Sequence, residues 1–166
     1  MKVNVAQLLK EAVGSERIYT FEELMDENDN MHVNGILTLT RTNKGILGKG
    51  TVSVNVPGTC SRCLSDIAIP LNFEFTEEFL PVIDINSGRP ISNNANGFII
   101  DNNHILDLDE IIRQYTVLNT PMKQLCQPDC SGICPSCGRN LNTGECECSQ
   151  RHYDKRWGKL ANLGKE

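Results

Sequence analysis

Eight of the 166 residues are cysteines, and their spacing is the first chemical signal in the chain. Cys60 and Cys63 form one pair, written CSRC. The other six, Cys126, Cys130, Cys134, Cys137, Cys146 and Cys148, fall within 23 residues, CQPDCSGICPSCGRNLNTGECEC. A closed zinc site takes four soft ligands at tetrahedral geometry, with sulfur about 2.3 Å from the metal. Eight cysteines satisfy two such sites with none left over. The strongest fragment is CPSCG, in which two thiolates separated by two residues can chelate one ion across a tight turn. Gly138 then permits the backbone conformation that turns amide N–H groups toward the sulfurs. Past the turn-forming Asn142-Thr143-Gly144, Cys146 and Cys148 flank a single residue. In an extended segment positions i and i+2 face the same side. One zinc is therefore assigned to Cys134, Cys137, Cys146 and Cys148.

By elimination a second zinc joins Cys60 and Cys63 to Cys126 and Cys130, closing a loop of over sixty residues. The first knuckle is less ideal, because Leu64 stands where a glycine would help. An exchange of pairs stays open at this point, with Cys146 and Cys148 serving the first knuckle and four ligands crowded into residues 126–137. Other thiol chemistries fit the pattern less well. Disulfides belong to exported chains. A redox CxxC normally opens a helix, whose N-terminus stabilises the thiolate, whereas CSRC lies between two expected strands. Iron–sulfur clusters favour C-x2-C-x2-C or C-x4-C-x2-C spacings, which the C-x3-C-x3-C-x2-C run does not show. A four-thiolate site leaves the metal no open position for a substrate. The three histidines, His32, His104 and His152, stand far apart in sequence, with no phosphate loop, nucleophile elbow or dinucleotide fingerprint. The expectation is a non-enzyme with no small-molecule substrate.

These ligands need elements to position them. Hydrophobic residues make up 39% and aromatics 5%, so the core is expected to be thin and aliphatic, with metal helping to hold the chain. No apolar run reaches the roughly 18 residues a membrane span needs. The opening residues MKVNVAQLLKEAVGSE carry no secretory pattern, which predicts a cytoplasmic protein with reduced thiols. Val5, Leu8, Leu9, Ala12 and Val13 recur at helical spacing and predict a short helix over 5–13. The acidic patch Glu22, Glu23, Asp26, Glu27 and Asp29 reads as a solvated loop or helix face. From residue 33 the period becomes two: Leu37 and Leu39, then Val52, Val54 and Val56, then Ile67, Ile69, Leu71, Phe73 and Phe75. Three half-buried antiparallel strands follow. Residues 84–97, rich in Asn, Ser, Gly and Pro, read as a long loop, followed by a short strand Phe98 to Ile100 and a turn at Asn102-Asn103. Asp107 with Glu110 in capping-box register opens a helix whose apolar face is Leu108, Ile111, Ile112, Tyr115 and Leu118. The fold expected is α+β: an antiparallel sheet, as a meander or small open barrel, with one main helix and a zinc-ribbon-like knuckle at the C-terminus. Residues 1–125 form the sheet-and-helix domain, and 126–166 a cysteine-rich segment and tail packed on it.

CSRC on a strand, Asp107-Leu108 opening a helix, Thr120-Pro121-Met122-Lys123 closing it, the block CQPDCSGICPSCGRNLN…CEC and a final DKRWGKLANL together resemble the YceD-like large ribosomal RNA subunit accumulation proteins. The likeness runs through nearly the whole chain in the right order, most specifically in the cysteine block, and is that of a cysteine-rich bacterial member. It implies a non-catalytic role in accumulation or processing of large-subunit (23S) ribosomal RNA. The implied partner is ribosomal RNA or the assembling large subunit, and a ribosomal protein is also compatible. Some relatives lose most of the later cysteines, so the metal sites are not essential to what every member shares. A zinc-stapled adaptor that binds protein only, for example in transcription, is the other reading of the same residues.

Charge is unevenly placed. The net charge of -5 argues against DNA binding over the whole surface. Residues 149–166 nevertheless hold five basic groups against Asp154 and Glu166, while residues 1–125 hold 10 basic and 16 acidic groups. Such a tail is an electrostatic address for phosphate. Arg151, Lys155, Arg156, Trp157 and Lys159 are the candidate contacts for RNA or a partner. Alternatively Trp157, Leu160 and Leu163 dock on the domain and the charges are merely solvated, and the two arrangements are compatible.

Overall fold

The computed structural model describes residues 1–25, 31–83, 88–89 and 97–148. Its elements are β1 (Lys2–Asn4), a single 3-10 turn (Leu8–Lys10), β2 (Glu16–Met25), β3 (Met31–Arg41), β4 (Ile46–Thr59), β5 (Asp66–Pro81), β6 (Phe98–Ile100), β7 (Ile105–Asp107) and α1 (Asp109–Asn119). The class is α+β, as expected. Two compact units divide the chain: residues 1–58 with 67–122, and residues 59–66 with 123–166. The tip of the β4–β5 connection thus belongs with the cysteine-rich segment.

The first unit is built on a seven-stranded sheet in the order β1-β7-β6-β5-β4-β3-β2. The expected alternation on β4 and β5 is seen directly: Val52, Val54, Ile69, Leu71, Phe73 and Phe75 are buried. Gly48 and Gly50 of β4 leave room for the Phe79 and Phe75 rings, into which any Cβ there would run. Helix α1 adds Ile111 and Ile112 to the same apolar core. Tyr115 stacks against Phe73 with ring centroids 6.0 Å apart, and its hydroxyl donates to Glu77 at 2.8 Å. Among the described residues no helix is long and apolar enough to cross a membrane.

Several local expectations are corrected. The helix over 5–13 is one 3-10 turn. Asn4 Oδ1 accepts the Ala6 N–H, Val5 N–H donates to His104 O, and Val3 pairs with Leu106 of β7. Further on, Arg41 Nε takes the Leu9 carbonyl that the Val13 N–H of a helix would use, Gly14 N–H donates to Arg41 O, and Val13 is left exposed. The acidic patch is not a loop or helix face where it is described: Glu22 and Glu23 lie in β2, which pairs antiparallel with β3 from Glu16↔Thr40 to Met25↔Met31. Asp26, Glu27 and Asp29 lie outside the described residues. β2 is an edge strand, and its carboxylates suit an edge that must not recruit another chain. The sheet is not antiparallel throughout, because β5 and β6 pair in parallel from Phe79↔Phe98 to Pro81↔Ile100. The intervening segment, 82–97, has the length that a parallel crossover requires. The N-cap position is Leu108, not Asp107; Asp107, one residue earlier, accepts the Asp109 N–H at 3.0 Å, and Glu110 turns to Arg113 and Gln114 instead of closing a box. Leu118 is exposed and Thr116 is buried in its stead.

Candidate metal centres

The second unit repeats one backbone device twice. At the first knuckle Cys60 N–H donates to Ser65 O at 2.9 Å and Leu64 N–H to Cys60 O at 3.0 Å. At the second, Cys134 N–H donates to Arg139 O at 2.8 Å and Gly138 N–H to Cys134 O at 2.9 Å. Both turns close through a left-handed residue just after the second cysteine, Leu64 at φ 60° and Gly138 at φ 73°. The glycine absent from the first knuckle is therefore replaced by a strained leucine, since a side chain costs about 1–2 kcal/mol in that region. Leu64→Gly is expected to raise the thermal stability of the first knuckle slightly, the relief being partly offset by chain entropy. Gly138→Leu should lower that of the second by about 1–2 kcal/mol, read as amide-exchange protection at Cys134 and Gly138.

The turns aim N–H groups at one sulfur each. Cys60 is drawn down to about 6, chiefly by the Cys63 N–H and against the effect of burial, with the Arg62 N–H assisting. Cys134 is likewise drawn down to about 6 by the N–H groups of Cys137 and Ser136. Ser136 N–H lies 3.4 Å from Cys134 Sγ. Their companions move the other way. Cys126 is pushed up to about 12 by its contact with Cys130, then by burial. Cys148 is pushed up to about 12 by Cys137, then by burial. Four thiolates in one cage repel each other, so full ionisation calls for a cation at the centre.

The eight sulfurs fall into two groups: Cys60, Cys63, Cys126 and Cys130, and Cys134, Cys137, Cys146 and Cys148, with every Sγ within 4.8 Å of the other three in its group. Pair exchange is not the arrangement adopted. Within the first group Cys60 and Cys130 are 3.8 Å apart and Cys63 and Cys126 3.6 Å. A tetrahedron with 2.3 Å arms has edges of about 3.8 Å, whereas a disulfide would be about 2.05 Å. Each group could hold a metal ion. They differ in exposure. In the first only Cys126 is exposed, while in the second Cys137 and Cys148 both are.

Sequence reasoning overlooked the residues around the ligands. Arg62 Nη1 donates to Cys130 O at 2.9 Å. The Ser65 hydroxyl lies 3.3 Å from Cys63 Sγ, and Asn142 Nδ2 donates to Cys130 Sγ at 3.2 Å. From sequence Asn142 reads only as a turn former. Its amide beside a thiolate cluster was the available signal. The tail candidates Arg151, Lys155, Arg156, Trp157 and Lys159 lie outside the described residues.

With the fold and both clusters in view, the chain matches a family model described as "Large ribosomal RNA subunit accumulation protein YceD" over residues 48–164. The chain belongs to the YceD family. All eight cysteines fall within the matched span. An uncharacterized protein of Mycobacterium tuberculosis is 32% identical over 129 residues, covering 76% of this chain and 59% of the relative. A chloroplastic YCED homolog 1 of Arabidopsis thaliana, named a large ribosomal RNA subunit accumulation protein, is 36% identical over 58 residues, 35% of this chain and 18% of the relative. Its counterpart in Zea mays is 38% identical over 48 residues, 28% of this chain and 16% of the relative. This YceD-family chain thus spans about three-fifths of the length of the mycobacterial relative. No solved structure matches it.

Proposed function

We propose that this YceD-family chain is a non-catalytic, zinc-binding factor of ribosome biogenesis, acting in the cytoplasm to support accumulation or processing of large-subunit (23S) ribosomal RNA. The observation that carries the reading is the family match, which runs through both cysteine clusters and the basic tail. The plant relatives it resembles are named for accumulation of large ribosomal RNA, not for a reaction. Zinc is favoured by the donor set: four thiolates at tetrahedral separations suit an ion with no redox chemistry and no open coordination position. The partner is ribosomal RNA on an assembling large subunit, with a ribosomal protein as a further contact. Arg151, Lys155, Arg156 and Lys159 supply phosphate contacts, and Trp157 supplies a ring for stacking or packing.

Depletion of the protein, followed by profiling of ribosomal RNA, is expected to lower mature 23S relative to 16S RNA and to leave unprocessed large-subunit precursors. Tagged protein should sediment with large-subunit particles. The reversal of Lys155, Arg156 and Lys159 to glutamate should weaken that association about tenfold or more at moderate salt while leaving metal content unchanged. Unaltered 23S levels together with sedimentation free of any ribosomal particle would leave the protein-only adaptor as the better reading. Unaltered co-sedimentation of the triple variant would remove the tail from the contact.

A further inference from the structure

The loop that links the two halves of the second cluster carries side chains that serve the first. It runs from Gly138 to Glu145, between Cys137 and Cys146. Asn142 clamps one peptide step of the first cluster: its Oδ1 accepts the Ser131 N–H at 2.8 Å, and its Nδ2 donates to Cys130 Sγ at 3.2 Å. The backbone donor fixes which way that amide points, so Nδ2 faces the sulfur. Asn140 acts one bond further out. Its Oδ1 accepts the Asn142 N–H at 2.9 Å, and its Nδ2 donates to Ser65 Oγ at 3.1 Å. The Cys63 thiol donates to the same oxygen at 3.3 Å, and once that sulfur is ionised the Ser65 hydroxyl is left as the donor of the pair. One sulfur of the first cluster, and a second once it is ionised, therefore receives a donor positioned by a loop whose ends are cysteines of the second.

The loop is also held at its start, where Cys134 N–H donates to Arg139 O at 2.8 Å and Gly138 N–H to Cys134 O at 2.9 Å, and by Gln127 Nε2, which donates to Asn142 Oδ1 at 3.3 Å. Leu141 N–H donates to Gly132 O at 2.9 Å, and Ile133 bridges Asn140. Asn142 and its neighbours Thr143, Gly144 and Glu145 are exposed, so burial does not fix them. Beyond Asn142 the described loop runs exposed to Cys146 and Cys148, whose sulfurs group with those of Cys134 and Cys137.

We propose that the two metal centres are coupled through Asn140 and Asn142: an ion in the second centre pins the loop at both ends and thereby presents donors to Cys130 and, through Ser65, to Cys63 of the first. The proposal rests on reading the clusters as metal centres. Donors to ligating sulfurs act as outer-shell partners, whose loss costs about 10–100-fold in metal affinity. Coupling of this kind is reciprocal, so an ion in the first centre favours the second by the same factor.

The test uses the full chain in zinc buffers of fixed free concentration, with alkylation of each cysteine read by peptide mass. Three chains are compared with the wild type. Cys146→Ser with Cys148→Ser disables the second centre. Asn142→Asp keeps the acceptor for Ser131 but removes the donor to Cys130. The third chain combines all three changes. In the first two, protection of Cys60 and Cys63 is expected to need about 10–100-fold more free zinc than in the wild type. In the combined chain the shift should exceed the larger single shift by no more than about twofold, because both changes break one path. Unchanged midpoints, or shifts that multiply in the combined chain, overturn the coupling while leaving two independent metal centres. A wild-type chain whose cysteines gain no protection at any free zinc overturns the metal reading and the coupling with it.

Discussion

Stripping the metal with a strong chelator is expected to unfold residues 123–148 while the sheet and α1 keep their structure. Among the described residues of that segment only Cys130, Gly132 and Cys134 are buried, and its regular pairing is one bridge between Ile133 and Asn140. Burial of apolar surface therefore contributes little there. Structural zinc contributes on the order of 10 kcal/mol per site in small folds, far more than the turns and amide clamps can supply. The first unit stands differently. Its core, from Val3 through Leu37, Phe79 and Leu106 to Ile112, draws nothing from residues 123–148. Amide exchange should accordingly show protection lost at Cys134, Gly138 and Leu141 on chelation and kept at Leu37, Leu39 and Ile112. Readdition of zinc should restore it, with two ions per chain by native mass spectrometry. A fully reduced, metal-free chain that retained protection across 123–148 would show that the cysteines pack without an ion.

Cys60→Ser is expected to lower the melting temperature more than Cys148→Ser. The first centre ties Cys63 to Cys126, 63 positions apart, and the chain between them carries β5, β6, β7 and α1. The second closes only the nine positions from Cys137 to Cys146. Opening the longer loop releases more chain entropy, by about 2 kcal/mol on a logarithmic scale of loop length. For a chain of this size that difference corresponds to about 4–8 °C in melting temperature. Environment adds to it, since Cys60 is wholly buried and Cys148 is exposed. Equal melting of the two variants, or a lower value for Cys148→Ser, would reverse the ranking of the two centres.

The candidate centres were legible because their chemistry is local. Two cysteines with two residues between them can turn toward a common point, and the knuckle at Cys134 and Cys137 announces itself through Gly138. The long runs of β4 and β5 were legible for a similar reason: side chains alternate faces along a strand, so Val52 to Phe75 write their own burial in period two. Helix α1 shows in its 3.6-residue stripe up to Tyr115, after which Leu118 falls outside the buried face.

What tertiary structure decided lies where the partner is distant in sequence. β2 carries Arg17, Tyr19 and Phe21 on its inner face, with Ile18 outward at 70% exposure and Leu24 exposed, so its alternation is broken at both ends and pairing with β3 makes it a strand. The helix expected over 5–13 stops after one turn because Arg41, distant in sequence, takes the Leu9 carbonyl and pairs with Gly14. Leu64 accepts a left-handed backbone at Cys63 because the hydrogen bonds of the knuckle hold it there. Residue spacing names the eight cysteines. Only the folded loop shows that Asn140 and Asn142, lodged between two cysteines of one cluster, hydrogen-bond around the sulfurs of the other, because a side-chain amide has no periodicity from which its partner could be read.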